Sequence, residues 1–348
     1  MTDQSTGTGL LHRLGHFCAR HARGVLVAWL VLALGLLAAD RALAGTYTDD
    51  FSLPRTSAQS GLDLLRVHDA KAGGYASKIV MQAPAGTLAD RRDAVEQAVT
   101  NLAGLPHVIR VSDPFAGNGG SVSTDGRVAV LTISFTDNPG TYGHPYLRQV
   151  DDAVAVARDA GVQVDYGGQL GQAARPKAND RRSEVIGVVV ALAVLLIGFG
   201  SLAAAGLPLL SALIGVAAGA ATLGLVATAI EFASVSPTLA VMMALGVGID
   251  YALFLTTRYR RAVADGADPI DAAADTTARS GRAVLTAAVT VIVALIGLYA
   301  SGVSFIGRLG LAAGIAVAVA ALAALTLTPA LLGWTGRNID RWYVRRPT

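Results

Sequence analysis

The stretch "MALGVGIDYALFLTTRYRR", residues 243–261, decides how this chain is read. It is an apolar run of helix length with one carboxylate, Asp250, at its middle, and no other charge stands between Glu231 and Arg258. An ionisable group at mid-membrane costs at least about 2.5–3.5 kcal/mol on insertion scales, and such groups mark relays or substrate paths. Asp250 lies 13 residues beyond Pro237, about 20 Å along a helix. Its short side chain reaches neither interface easily. The structural alternatives are a hydrogen-bonded aspartate with no transport role and a slipped helix that leaves Asp250 at the interface.

The whole composition points the same way. The 348 residues are 53% hydrophobic and 15% charged, with a mean hydropathy of +0.50, whereas soluble domains carry about 25% charged residues. The single cysteine, Cys18, excludes an intramolecular disulfide. A net charge of +3 gives no footprint for nucleic acid.

From Val185 to Ile230 there is no charge. As one helix this run would be about 69 Å long, against about 30 Å of hydrocarbon, so it must fold back. "GFGSLAAAGLP" (198–208) supplies the breakers. Six spans are expected: 24–44, 185–204, 208–230, 237–257, 283–300 and 305–334, the third of these ending near Glu231 and the fourth starting with Ser236 as N-cap and Pro237 at N1. Pro329 in "TLTPALLG" is expected to kink the last. "ALA" at 42–44 also fits a signal-peptide cleavage site; the preferred reading keeps the helix. Arg13, Arg20 and Arg23, then Arg258, Arg260, Arg261, Arg279 and Arg282, then Arg337, Arg341, Arg345 and Arg346 fall on one side of this alternation. That side is expected to be cytoplasmic, with Trp334, Trp342 and Tyr343 in its interfacial belt.

The fold class expected is a multi-pass α-helical membrane protein with an α+β ferredoxin-like external domain between helices one and two. Its segments are 1–23 (cytoplasmic), 24–44 (first span), 45–183 (external, porter-like), 184–336 (spans two to six) and 337–348 (cytoplasmic tail). Within 45–183 the patterns read strand 76–83, helix 88–104, strand 107–113, strand 127–136, helix 145–161 and strand 162–168, the split βαβ order. This segment holds 14 Arg or Lys and 15 Asp or Glu, a balanced surface that names no partner. The Gly/Ser/Asn-rich loop at 113–126 precedes a strand rather than a helix and reads as a connector, not a phosphate cradle.

Around Asp250 the neighbours are small. Gly246 stands one turn away on the same face, and Ala244 and Gly248 precede it. Small residues let a second helix approach closely, which would shut Asp250 away from lipid and leave a carboxylate able to load and release a proton. Tyr251 diverges from Asp250 by about 100° around the helix, so it is expected to serve a carboxylate on a facing helix. That implies a second, symmetry-related pair.

"ALGVGIDYALFLTTRYRR" resembles the fourth-helix motif of the MMPL lipid exporters within the RND superfamily. "ARGVLVAWLVLAL" and "PRTSAQSGLDLLR" resemble their first helix and the chain that follows it; "SGRAVLTAAVTVIVALIGLY" and "FIGRLGLAAGIAVAVAALAALTLTPALLGWTG" resemble helices five and six. The resemblance implies a proton-driven exporter of lipids or related hydrophobic molecules in the cell membrane, not an enzyme, with Asp250 and Tyr251 in the proton relay and no cofactor or metal. It matches the N-terminal half of a full-length member, because family members usually hold two such halves and two Asp–Tyr motifs. The relay is then expected to be completed by a homodimer or a second half-transporter chain; an inactive orphan half is the remaining alternative.

A SecD/SecF-like protein-export auxiliary fits the size, though "GVGIDY" and "TLTPALLG" do not favour it. An intramembrane aspartyl protease needs two carboxylates sharing a proton, and Asp250 has no such companion here. Glu231 reads as a solvated loop charge or part of an exit path, Arg308 as a headgroup contact, and His12, His16 and His21 as solvent or lipid contacts rather than a metal site. Residues 258–283 read as an amphipathic connector on the membrane surface. The absence of GxxxxGK[ST] leaves an ion gradient as the energy source.

Overall fold

The computed structural model describes residues 9–45, 47, 56–68, 74–116, 121–174 and 180–340. In chain order the elements open with helices α1 (Leu10–Arg20), α2 (Ala22–Leu43) and α3 (Ser57–His68). Then come strand β1 (Tyr75–Gln82), α4 (Arg92–Ala103), β2 (Val108–Val111), β3 (Val128–Phe135), α5 (Gly143–Ala153), α6 (Ala155–Asp159), β4 (Gln163–Gly167) and α7 (Gly168–Ala174). Five long helices close the chain: α8 (Asp180–Phe199), α9 (Leu202–Val226), α10 (Ser236–Ala264), α11 (Pro269–Ile296) and α12 (Ser304–Thr335). Residues 48–178 cluster as one compact unit and 1–47 with 179–348 as the other.

The first of these is a small antiparallel sheet backed by helices. The strand order is β2-β3-β1-β4, with β1 pairing antiparallel to both β3 and β4. Alternation along β1 buries Ile79 and Met81, and along β3 Leu131 and Ile133, onto one face. Val95, Ala98 and Leu102 of α4 and Val150 and Val154 at the end of α5 cover it, so period-2 and period-3.6 apolar patterns meet in one core. A buried phenol and a half-buried one pin this core to its rim. Tyr146 donates to the carbonyl of Pro106 at 2.6 Å, and Tyr166 donates to the Asp151 carboxylate at 2.6 Å. Desolvation pushes Tyr146 up to about 12 and raises Tyr166 further, the latter helped by its bond to Asp151. A phenol raised in the folded state keeps its proton while the unfolded chain loses it near pH 10. The stability it confers is therefore complete below pH 10 and falls as pH rises toward 12. In an alkaline titration of tyrosinate absorbance, Tyr146→Phe should remove one late-ionising phenol and leave the early ones.

In the second unit five helices are long and apolar enough to cross a membrane: α2, α9, α10, α11 and α12. Val185–Phe199 of α8 is a shorter apolar stretch, about 22 Å. The break after it falls at Gly200, whose φ of +68° only glycine adopts freely. Helix α9 therefore starts at Leu202 and runs through Pro208, earlier than the expected 208. Helix α10 begins at Ser236 with Val235 as N-cap, so Ser236 does not cap it. The helical assignment of α12 is unbroken through Pro329.

Helix α12 is the hub, with 72% of its apolar window buried against 11% for α2 and for α11. Its Ala- and Gly-rich sequence explains this, because in lipid small side chains rather than hydrophobicity let helices close up. A Cβ added at Gly215 of α9 would lie 3.1 Å from Ala323 Cβ, and one at Gly219 would lie 3.5 Å from Ala316 Cα. Hydroxyls stitch the same hub: Ser211 and Thr328 share a buried 2.9 Å hydrogen bond, and the Trp29 indole donates to Thr326 at 3.0 Å.

Three features were not anticipated. First, α1 is an amphipathic helix that docks on α11 and α12, with Gly15 against Thr277 and Gly333 of α12 against Ala19. Second, 258–283 is not a surface connector. It is the last turns of α10, a four-residue turn at 265–268, and the first half of α11 with Ala272, Ala273 and Ala274 buried. Asp268 caps α11, accepting from the backbone of Ile270 at 2.9 Å, with Pro269 in the first turn. Third, Arg308 does not stand alone; it pairs with Glu231 at 3.4 Å. Arg341, Arg345, Arg346, Trp342, Tyr343 and the loop centre 117–120 lie outside the described residues.

Candidate functional site: the faces of helix α10

Helix α10 runs 29 residues, about 43 Å, and stops where Gly266 takes φ +93° and its N–H caps the Val263 carbonyl at 3.1 Å. Asp250 sits midway along it. Three faces follow from the sequence spacing. Ala240, Ala244, Gly248, Ala252, Leu255 and Tyr259 form a buried stripe. Met243, Val247 and Tyr251 pack beside it, Tyr251 touching a cluster built from Leu255, Val284, Ala324 and Leu325. The third face carries Met242, Gly246, Asp250, Phe254, Arg258 and Arg261, all exposed.

The four residues singled out from the sequence therefore divide. Gly248 is a packing glycine: a Cβ there would lie 3.3 Å from Ala212 Cβ of α9 and 3.7 Å from Ala320 Cβ of α12. Gly246 has nothing within 4 Å of such a Cβ. Asp250 stands one turn from Gly246 on this uncovered face, and this chain's own helices do not bury it. Tyr251 points to the α11 and α12 side, and among the described residues neither the Asp250 nor the Tyr251 side chain has a hydrogen bond. The arrangement is a mid-helix carboxylate with a glycine notch beside it, presented outward, while its tyrosine neighbour is seated inward.

A polar cluster at the arginine-rich end of α10 is not foreshadowed by residue order alone. Tyr259 is fully buried and donates to the carbonyls of Leu332 at 3.1 Å and Gly336 at 3.2 Å. Arg260 binds Asp340 through Nε at 2.9 Å, donates to the Phe199 carbonyl at 3.2 Å and lies 5.1 Å from the Phe199 ring centroid. Ser201 donates to the Ile339 carbonyl at 3.0 Å. One side-chain cluster thus ties the end of α8, α10 and the end of α12. Nothing in "RYRR" distinguishes Arg260 from its neighbours except helical phase. Among the described residues no group of three or more His, Cys, Asp or Glu could hold a metal ion.

A bundle of long apolar helices with an α/β unit inserted after the first of them defines an integral membrane protein. The family model described as "MMPL family" matches residues 51–348, and the chain belongs to the MMPL family. It is 31% identical over 336 residues to "Membrane protein YdfJ" of Bacillus subtilis, covering 95% of this chain and 46% of that one. It is 38% identical over 175 residues to "Mycolic acid-containing lipids exporter MmpL11" of Mycolicibacterium smegmatis, covering 49% and 18%. The chain thus spans about half or less of these relatives' length. Among solved structures, a crystal structure of SecDF in its super-membrane-facing form aligns at a TM-score of 0.47 and 14% identity, over 90% of this chain and 38% of that one.

Proposed function

We propose that this chain forms one half of a proton-driven transporter of lipids or other hydrophobic molecules, with Asp250 as the proton-carrying group. The observation that carries the reading is the placement of Asp250: mid-span, outward, and one turn from a glycine that leaves room for another helix. A carboxylate left in lipid is unstable by several kcal/mol, so this face takes a second membrane unit, either another copy or a second half-length unit. Tyr251, seated in this chain toward α11 and α12, is assigned to the relay as the hydrogen-bond donor for a carboxylate on the partner unit. Six spans are proposed, α8 included, with residues 48–178 outside as a ferredoxin-like domain; the β2-β3-β1-β4 order supports that description. The arginine groups of α1, of the last turns of α10, of the first half of α11 and of the sequence after α12 support a cytoplasmic position for both termini, and the location is the plasma membrane. The lipid-export names of relatives such as MmpL11 support the cargo class.

The test is proton uptake into liposomes under an imposed gradient, with the particle mass measured in nanodiscs. Asp250→Asn should abolish uptake while the protein keeps its mass and melting temperature. Uptake by the Asn variant equal to that of the parent would remove Asp250 from the relay.

A further inference from the structure

The arginines of "RYRR" (258–261) have different fates. Arg260 is turned inward and neutralised by Asp340. Arg258 and Arg261 are exposed, as are Arg279 and Arg282 of α11, and among the described residues none of these four guanidinium groups has an ion-pair or hydrogen-bond partner. Arginines that served only to orient the chain would have no reason to converge. Here Arg258, Arg261 and Arg279 line one cleft of about 680 Å³, together with Phe254, Thr257 and Thr276. Asp265 and Asp275 share the cleft, but Asp275 lies 3.4 Å from His12 Nε2 of α1. The cleft therefore has an excess of cationic donors.

Its apolar continuation is equally specific. A groove of about 740 Å³ shares Arg279, has Arg282 beside it at the same end, and runs along α11 past Ala283, Thr286, Ala287, Thr290 and Val291. Thr286 donates its hydroxyl to the Arg282 carbonyl and Thr290 to the Thr286 carbonyl, each at 2.9 Å. With those hydroxyls spent on their own helix, the groove presents methyl groups and alanines. A basic head chamber thus leads into a shallow apolar track of about two helical turns.

We propose that this is a binding site for an anionic phospholipid, its phosphodiester held by Arg258, Arg261 and Arg279 and an acyl chain laid along α11. Basic pockets between transmembrane helices on the cytoplasmic side bind acidic headgroups, and guanidinium forks match phosphate oxygens. The inference rests on the proposed orientation, which places this end in the cytoplasmic leaflet, but it does not require transport.

Binding is read on the whole chain, purified in a neutral detergent and mixed with phosphatidylglycerol, phosphatidylcholine or inorganic phosphate. Native mass spectrometry counts retained lipid, and melting gives the shift. Phosphatidylglycerol should be retained and raise the melting temperature; phosphatidylcholine and free phosphate should do neither. The variant R258Q/R261Q/R279Q should bind phosphatidylglycerol more weakly by about fivefold per arginine, hence on the order of a hundredfold. It should melt like the parent in phosphatidylcholine, which separates lost binding from lost folding. R337Q, changing an exposed arginine elsewhere, should bind as the parent does. Equal weakening by R337Q would assign the effect to general surface charge and overturn the site, and an equal shift with free phosphate would make it an anion site without a lipid track. A dimeric particle that retains no phosphatidylglycerol would give the cleft to a second copy. Lipid retention without proton uptake in the parent would leave this site standing while the transport reading fails.

Discussion

Gly248→Leu is expected to destabilise the bundle by about 3 kcal/mol, near the upper end of the usual cost of overpacking, while Gly246→Leu costs nothing and raises stability by up to about 1 kcal/mol. The two glycines lie two residues apart on one helix and would be treated alike from sequence. At Gly248 a Cβ already meets Ala212 Cβ at 3.3 Å, closer than nearly all real contacts of this kind, and the Ala212 backbone stands behind it at 3.5 Å. Ala320 closes the other side at 3.7 Å. A leucine must push α9 or α12 away, and α12 also packs against α11, α2 and α1. At Gly246 no atom lies within 4 Å, and a leucine even gains up to about 1 kcal/mol of helix propensity over glycine. Thermal unfolding in detergent measures both. Similar melting temperatures for the two variants would overturn the assignment of the packed and open faces. Under the proposed function the same pair inverts in liposomes: Gly246→Leu folds but fills the notch beside Asp250, so its proton uptake should fall by an order of magnitude or more.

How much of this was legible in the sequence depends on where the information resides. Long apolar runs specify helices because lipid offers backbone groups no other partner, so α2, α9, α10, α11 and α12 could be read from hydropathy, but α11 starts at Pro269 rather than 283 because its first half is polar in sequence and folds as helix all the same. The strands of the small sheet were legible from period-2 patterns such as "ASKIVMQA". Helix α1 was missed although Leu10, Leu14, Phe17 and Cys18 have helical spacing; its histidines and arginines drew attention away from the stripe. The four-residue turn at 265–268 was also missed, although "DP" at 268–269 is a cap-and-start signal. What could not be read is which way each residue of a uniformly apolar helix faces. Gly246 and Gly248 differ only by about 200° of helical phase, and their roles are set by Ala212 and Ala320, distant in sequence. The outward placement of Asp250 belongs to the same class of fact.

Arg260→Gln should cost about 2–3 kcal/mol, while Arg258→Gln and Arg261→Gln, from the same tetrapeptide, should each stay within about 0.5 kcal/mol. Removing one partner of a buried ion pair costs about 3–5 kcal/mol because the other charge is left uncompensated. The side chains here are 19% and 35% exposed, so solvent screens part of that and the expectation is set lower. Loss of Arg260 also strands the Phe199 carbonyl at the end of α8, which it reaches at 3.2 Å, and removes the guanidinium from the Phe199 ring. Melting of Arg260→Gln, Asp340→Asn and the double variant gives a coupling energy, expected near 1–2 kcal/mol, since the double variant leaves no unpaired charge. Additive effects would show that Arg260 stabilises through Phe199 alone. The consequence reaches past stability, because α10 carries Asp250 and α8 is the helix that follows residues 48–178 in the chain. Under the proposed function a shift of α10 on protonation would be handed to α8 through Arg260, so in liposomes Arg260→Lys, which keeps charge but cannot bridge Asp340 and the Phe199 carbonyl with one planar group, should bind protons yet transport poorly. Parent-level transport by that variant would confine Arg260 to holding the bundle together.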